Sequence, residues 1–164
     1  AARLHPNDRK RIVRALEVFQ QTGKTISQHN RETRALPLRY DALTLSLAFQ
    51  RREDMWARID RRVDEMMAAG LAEEVRALLD SGVPVRCTAM QAIGYKEMAA
   101  ALRGGGDVCA AAEEIKLRSR QYAKRQLTWF RRTEGAKWLF WGPEPDFEAA
   151  CRTSTKYLEE FGLV

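Results

Sequence analysis

The sequence predicts a mainly helical fold carrying two short strands, and three observations point there. Apolar residues recur at helical spacing in most segments, as with Ile12, Ala15, Leu16 and Phe19, or Trp56, Ile59, Val63 and Met66. Only residues 41–49 and 136–141 lose that period. Glycine and proline mostly punctuate the segments: Gly23, Pro37, Gly70, Gly82, Pro84, the Gly104-Gly105-Gly106 run, Pro143 and Pro145. With 164 residues, 45% of them hydrophobic, the chain is long and apolar enough for a real core.

Residues 1–6 are a lead-in, and Pro6-Asn7-Asp8 is a helix-start signal whose Asx side chain can cap free N–H groups. The first helix runs over residues 9–21, with Lys10, Arg11 and Arg14 off its apolar face and Gly23 as its stop. A second, short helix covers 27–34 and ends before Pro37, giving a helical hairpin with a basic edge. The candidate boundary is 35–40. Residues 41–49 then alternate: Leu43, Leu45, Leu47 and Phe49 give an apolar strand face, and Thr44, Ser46 and Ala48 a small, semi-buried one.

Residues 53–69 are helical, with Arg58 and Arg62 one turn apart beside the apolar stripe and Arg61 flanking. Spacing alone favours pairing of these arginines with Asp60, Asp64 or Glu65 on the same helix. The alternative is a two-pronged guanidinium clamp for a diphosphate. A helix over 71–79 stops at Ser81-Gly82. Gly94 breaks the following stretch, before a short helix over 96–102. A glycine beside Tyr95 and Lys96 can admit a ligand close to the backbone, although an ordinary helix entry with a buried tyrosine is favoured on these residues alone. The three consecutive glycines are a flexible joint, and Asp107 caps a long helix reaching about residue 132. Residues 136–141 form the second strand. A closing helix spans 147–161, with Ala150, Thr153, Tyr157, Leu158 and Phe161 as its contacts.

The long helix is the most informative segment. Lys116, Arg118, Arg120, Lys124, Arg125, Arg131 and Arg132 are cationic, and no Asp or Glu lies between Glu114 and Glu134. Arg118, Arg125 and Arg132 recur at seven-residue spacing on one face. Gln121, Gln126, Thr128 and Trp129 interleave hydrogen-bonding groups and a large ring among the charges. Such a mixture can hold phosphates, meet a base edge and stack a base. A solvated helix would normally carry glutamates to balance its cations, so these are expected to stand unneutralised. The net charge of +6 favours anionic partners, nucleic acid or phosphorylated small molecules.

Other chemistries find little support. No apolar run approaches a membrane span and no secretory signal opens the chain. Cys87, Cys109 and Cys151 offer neither a disulfide framework nor a CxxC site; they read as small buried hydrophobes, and a reducing cytoplasm is expected. His5 and His29 are the only histidines, with no zinc-ligand spacing, and there is no GxSxG. Gly23-Lys24-Thr25 resembles the tail of a phosphate-binding loop, but Val18 stands where that loop needs glycine, and a helix precedes it where a strand should. Beginning at Ala1 with a structured-looking motif, the chain reads as a fragment or a processed chain.

Read together, the basic segments resemble the tRNA dimethylallyltransferases, also called tRNA isopentenyltransferases. The likeness rests on His5-Pro6-Asn7-Asp8 with Arg11 and the run from Arg14 to Val18, and on Arg58-Ile59 with Arg62. It rests equally on Ile93-Gly94-Tyr95-Lys96-Glu97, and on the run from Arg120 to Gln126 with Thr128-Trp129-Phe130-Arg131. The resemblance implies the carboxy-terminal part of a P-loop-containing α/β fold of the nucleotide-kinase type. Residues 1–36 would belong to a helical tRNA-binding insertion and 37–164 to the catalytic core. It implies transfer of a dimethylallyl group from its diphosphate to N6 of the adenine 3′ to the anticodon, assisted by Mg²⁺ held outside this chain. The family's P-loop and general-base Asp are absent, so the chain alone is expected to bind weakly and not turn over.

By the same similarity, Arg62, and with it Arg58 and Arg120, would contact the diphosphate. The tRNA anticodon stem-loop would meet Lys10, Arg11, Ile12, Val13 and Arg14 in the first helix, then Gln91, Ala92, Ile93, Gly94, Tyr95 and Lys96. A third contact segment would be Lys124, Arg125, Gln126, Leu127, Thr128, Trp129, Phe130 and Arg131. No membrane partner and a monomer are expected. The alternatives are a non-catalytic RNA-binding helical module and a fragment of a nucleotide kinase whose arginine helix closes over phosphates.

Overall fold

A computed structural model describes residues 5–37 and 39–163; residues 1–4 of the lead-in, and residue 38 within the expected boundary, lie outside the described residues. The chain divides into two compact units, Ala1–Ala42 and Leu43–Val164.

The first unit is a pair of helices, α1 (Arg9–Thr22) and α2 (Ile26–Ala35). Gly23 ends α1 in the left-handed region, φ 67°, and donates its N–H to the Phe19 carbonyl at 2.8 Å. Thr25 and Gln28 form a reciprocal capping box at the start of α2. Asp8 does not cap α1 as its side-chain type suggested; its carboxylate meets Arg11 at 3.4 Å instead. Neither helix has a buried residue, and Val13, Leu16 and Phe19 are half exposed. Lys24 pairs with Glu32 at 2.8 Å, which holds the Glu32 carboxyl below its ordinary range.

The second unit runs β1 (Leu45–Phe49), α3 (Arg52–Ala68), α4 (Leu71–Asp80), a 3₁₀ turn (Ala89–Gln91), α5 (Tyr95–Gly104), α6 (Val108–Phe130), β2 (Lys137–Trp141) and α7 (Phe147–Phe161). Its core is helical. Val63 of α3, Leu71 and Val75 of α4, Met90 of the turn, Met98 of α5 and Ile115 of α6 form one buried cluster. Each such side chain contributes about 1.5–3 kcal/mol by leaving water. Gly70, at φ 96°, makes the tight passage from α3 to α4 that a side chain would strain. Asp107 caps α6 through the Cys109 N–H at 2.8 Å. Arg131 and Arg132 follow that helix in a turn.

The two strands pair in parallel, Leu45 opposite Lys137 through Phe49 opposite Trp141. Pairing starts at Leu45, later than the alternation predicts. The faces are also not as expected: small Ser46 is buried at 6% exposure, whereas Leu47 of the apolar face is 50% exposed. Phe161 of α7 is likewise more open than a contact residue, at 43%. The cysteines correct another expectation. Cys87 is half-buried, but Cys109 and Cys151 are exposed thiols and not core residues.

Candidate functional site

The cations of α6 fall into two groups, because the helix presents different faces to different neighbours. The face toward α3 carries Lys116 and Arg120. Arg120 donates from Nη1 to both oxygens of Asp60, at 2.9 and 2.7 Å, with both side chains about a third or less exposed. Lys116 lies 2.7 Å from Asp64 and 2.8 Å from Glu113, and these bonds hold its ammonium far above the ordinary lysine range. Arg118 pairs with Glu114 one turn back at 2.6 Å. The expectation of unneutralised cations is therefore wrong for these three. The balancing carboxylates lie just before the acid-free run and on α3, where a scan of the run cannot find them.

The second group meets that expectation. Among the described residues, Lys124, Arg131 and Arg132 have no carboxylate partner, and Arg125 lies over the Tyr122 ring with its guanidinium carbon 5.7 Å from the centroid. Trp129 is 66% exposed beside Phe130, their rings edge to face at 5.3 Å. Gln126 is exposed, Leu127 is half-buried, and Thr128 donates its hydroxyl proton to the Lys124 carbonyl at 2.9 Å.

On α3 the pairing favoured by spacing does not occur. Asp60 and Asp64 are taken by α6, and Arg58 and Arg62 are exposed with no carboxylate partner among the described residues. Arg61 instead reaches Glu144 at 3.4 Å. Positions 58 and 62 lie about 200° around the helix from position 60. Arg58 and Arg62 thus share a face turned away from the one where Asp60 holds Arg120.

The segment before α5 is built by Gly94. At φ 103° it is buried, and its N–H donates to Glu97 Oε2 at 2.9 Å, which fixes the helix entry. Tyr95 is half-buried and its hydroxyl donates to Glu74 of α4, an arrangement that raises the phenol pKa. Gln91 donates to the Val85 carbonyl at 2.7 Å, Ala92 is exposed and Ile93 packs on the core. Lys96 is exposed and, among the described residues, unpaired. In the first unit, Arg11 and Arg14 each have a nearby carboxylate, Asp8 and Glu17, whereas Lys10 has none among the described residues; Ile12 is half-buried and Val13 half exposed.

Between α5 and α6 lies a groove of about 620 Å³ that sequence reasoning missed. Its signal was present: Arg118, Gln121 and Arg125 line it at spacings of three and four on one helix face. The partner wall, including Lys96, comes from a different helix, so only the fold reveals the groove.

Comparison with known proteins bears on this surface. Residues 1–133 match the family model described as IPP transferase. A tRNA dimethylallyltransferase of Geobacter sulfurreducens is 50% identical over 139 residues, 85% of this chain and 44% of the relative. A tRNA dimethylallyltransferase 1 of Trichlorobacter lovleyi is 51% identical over 137 residues, covering 84% and 45%. The crystal structure of the full-length tRNA isopentenylpyrophosphate transferase from Bacillus halodurans superposes with a TM-score of 0.70 at 34% identity, over 98% of this chain and 47% of that one. The corresponding Staphylococcus epidermidis structure gives 0.67 at 36%, over 97% and 51%. The chain spans about half the length of the relatives it matches.

Proposed function

The chain belongs to the IPP transferase family, and on that premise we propose that it is part of an enzyme transferring a dimethylallyl group from dimethylallyl diphosphate to N6 of the adenine 3′ to a tRNA anticodon. The observation that carries this reading is the combination of the family match with cations left unpaired, among the described residues, in the segments that would face RNA. Lys96, Lys124 and Arg131 are exposed and lack carboxylate partners among the described residues, and Arg125 lies over the Tyr122 ring. Such groups release counterions when they take up phosphates, which drives binding of a stem-loop backbone. Exposed Trp129 offers a ring on which an unstacked base can rest, contributing about 1–3 kcal/mol.

Arg62 and Arg58 are assigned to the diphosphate. In the reaction N6 forms a bond to the allylic carbon, the carbon–oxygen bond to diphosphate breaks, and negative charge grows on the leaving oxygen. Guanidinium groups already in place stabilise that charge, and losing one costs about 3–4 kcal/mol of barrier lowering. Their lack of carboxylate partners among the described residues leaves both ready for this role. Arg120 is bound to Asp60, so a phosphate contact from it would use Nε or Nη2. The proton lost from N6 goes to a base outside this chain, which is proposed to lack the P-loop and to be inactive alone.

Mg²⁺ is assigned to ligands outside the chain; among the described residues no group of three or more His, Cys, Asp or Glu could hold a metal ion. A cytoplasmic setting goes with a tRNA substrate; among the described residues no helix is long and apolar enough to cross a membrane.

Direct binding tests the reading. The chain is expected to bind an anticodon stem-loop RNA and dimethylallyl diphosphate, weakly, in preference to ATP. Binding of ATP with no affinity for the RNA would instead favour the nucleotide-kinase reading.

A further inference from the structure

We propose that Asp60 is a positioning residue for the transfer step: it holds Arg120 by Nη1 alone and so aims the Nε–Nη2 edge of that guanidinium at the leaving diphosphate. The proposal rests on the dimethylallyl-transfer reading above, which supplies the diphosphate, and adds a residue to it.

The form of the contact argues for this role. A guanidinium and a carboxylate often meet fork to fork, two nitrogens against two oxygens. Here both Asp60 oxygens lie on one nitrogen, Nη1, at 2.9 and 2.7 Å. The donors on Nε and Nη2 have no partner among the described residues. They make up the edge whose parallel N–H bonds match two oxygens of a phosphoryl group. The Arg120 side chain is 27% exposed, so water screens a charge at this edge less than at the open surface.

A second rung already ties the two helices. Asp64 and Lys116 meet at 2.7 Å, one turn onward along α3 and one turn back along α6. Asp60 is also a poor choice if attraction were all the site required, because its charge offsets that of Arg120 and weakens the pull on an anion. Arg58 and Arg62, with no carboxylate partner among the described residues, carry no such offset. What Asp60 adds is direction. A guanidinium already aimed when the carbon–oxygen bond breaks needs no rearrangement as charge grows on the leaving oxygen. Loss of Asp60 should therefore separate speed from affinity.

The test measures dimethylallyl transfer to an anticodon stem-loop RNA by an active transferase carrying this segment. Asp60→Asn keeps the shape and removes the charge. It is expected to lower kcat about tenfold to a hundredfold, with RNA affinity unchanged and inhibition by inorganic diphosphate no weaker than in the wild type. Asp60→Glu restores a carboxylate and is expected to recover part of kcat. Beside Arg120→Ala, Asp60→Asn should cause no further loss, because the group it aims is gone. Asp64→Asn breaks the neighbouring rung and controls for packing: it should lower the melting temperature and leave kcat at the wild-type value. Circular dichroism checks the folding of each variant. A wild-type kcat in Asp60→Asn, diphosphate inhibition weakened in proportion to kcat, an equal loss in Asp64→Asn, or a further loss beside Arg120→Ala would each overturn the positioning role while leaving the transfer reading intact. Loss of RNA affinity at normal kcat would overturn it too, by placing the Arg120 edge on an RNA phosphate. A wild-type protein that moves no dimethylallyl group to the RNA would sink both.

Discussion

Arg120 of α6 is clasped by Asp60 of α3, its Nη1 lying 2.7 and 2.9 Å from the two carboxylate oxygens. Asp60 thus faces α6, while helix spacing places Arg58 and Arg62 on a different face of α3, where among the described residues they have no carboxylate partner.

The first prediction concerns that clasp. Asp60→Ala strands a partly buried guanidinium and is expected to lower stability by about 1–3 kcal/mol. Urea unfolding measures it, and Asp60→Ala with Arg120→Ala together should cost less than the sum of the single changes. Additive losses would mean that the two side chains do not interact in solution.

The helical core is the second. Met98 is fully buried among Val75, Met90 and Ile115. Met98→Ala is expected to cost about 2–5 kcal/mol, by lost burial and the cavity left behind. Met98→Leu should cost under about 1.5 kcal/mol. Equal losses would mean that packing at this position does not depend on volume.

How much of this was legible beforehand follows from the range of each signal. The helices and both strands show in local periodicity, and Gly23 and Asp107 mark ends that the structure places beside them. The exposure of Leu47 does not show, because alternation reveals that a strand has two faces without saying which is covered. Nor does the partner of Asp60. Spacing along α3 offers Asp60 its helix neighbours, but packing brings α6 alongside, and a cross-helix bond replaces a weak intrahelical one. The α5–α6 groove was hidden for the same reason, since Lys96 and Gln121 are far apart in the chain.

A third prediction uses pH. The Tyr95 hydroxyl donates to Glu74, and this bond raises the phenol above its ordinary 10.0 by favouring the neutral form. A raised folded-state pKa contributes stability fully below the unfolded value of 10.0 and loses it as pH rises through the folded value. Glu74→Gln should therefore bring the late step of the ultraviolet tyrosine titration to lower pH. An unchanged titration would place the two side chains apart.

Fourth, Arg62→Ala in an active transferase carrying this segment is expected to slow turnover and weaken dimethylallyl diphosphate binding. The loss should be about 3–4 kcal/mol in transition-state stabilisation, with tRNA affinity nearly intact. A fall in tRNA affinity at normal turnover would move Arg62 from the diphosphate site to the RNA surface.

The central claim is that the exposed cations without carboxylate partners, and not those held by carboxylates, meet the RNA backbone. The most direct measurement is the salt dependence of anticodon stem-loop binding in that transferase, comparing Arg125→Ala with Arg120→Ala. Arg125→Ala should lower the log–log slope by about 0.7–0.9, while Arg120→Ala should leave it unchanged. A slope that stays the same for Arg125→Ala, or falls for Arg120→Ala instead, would contradict the account.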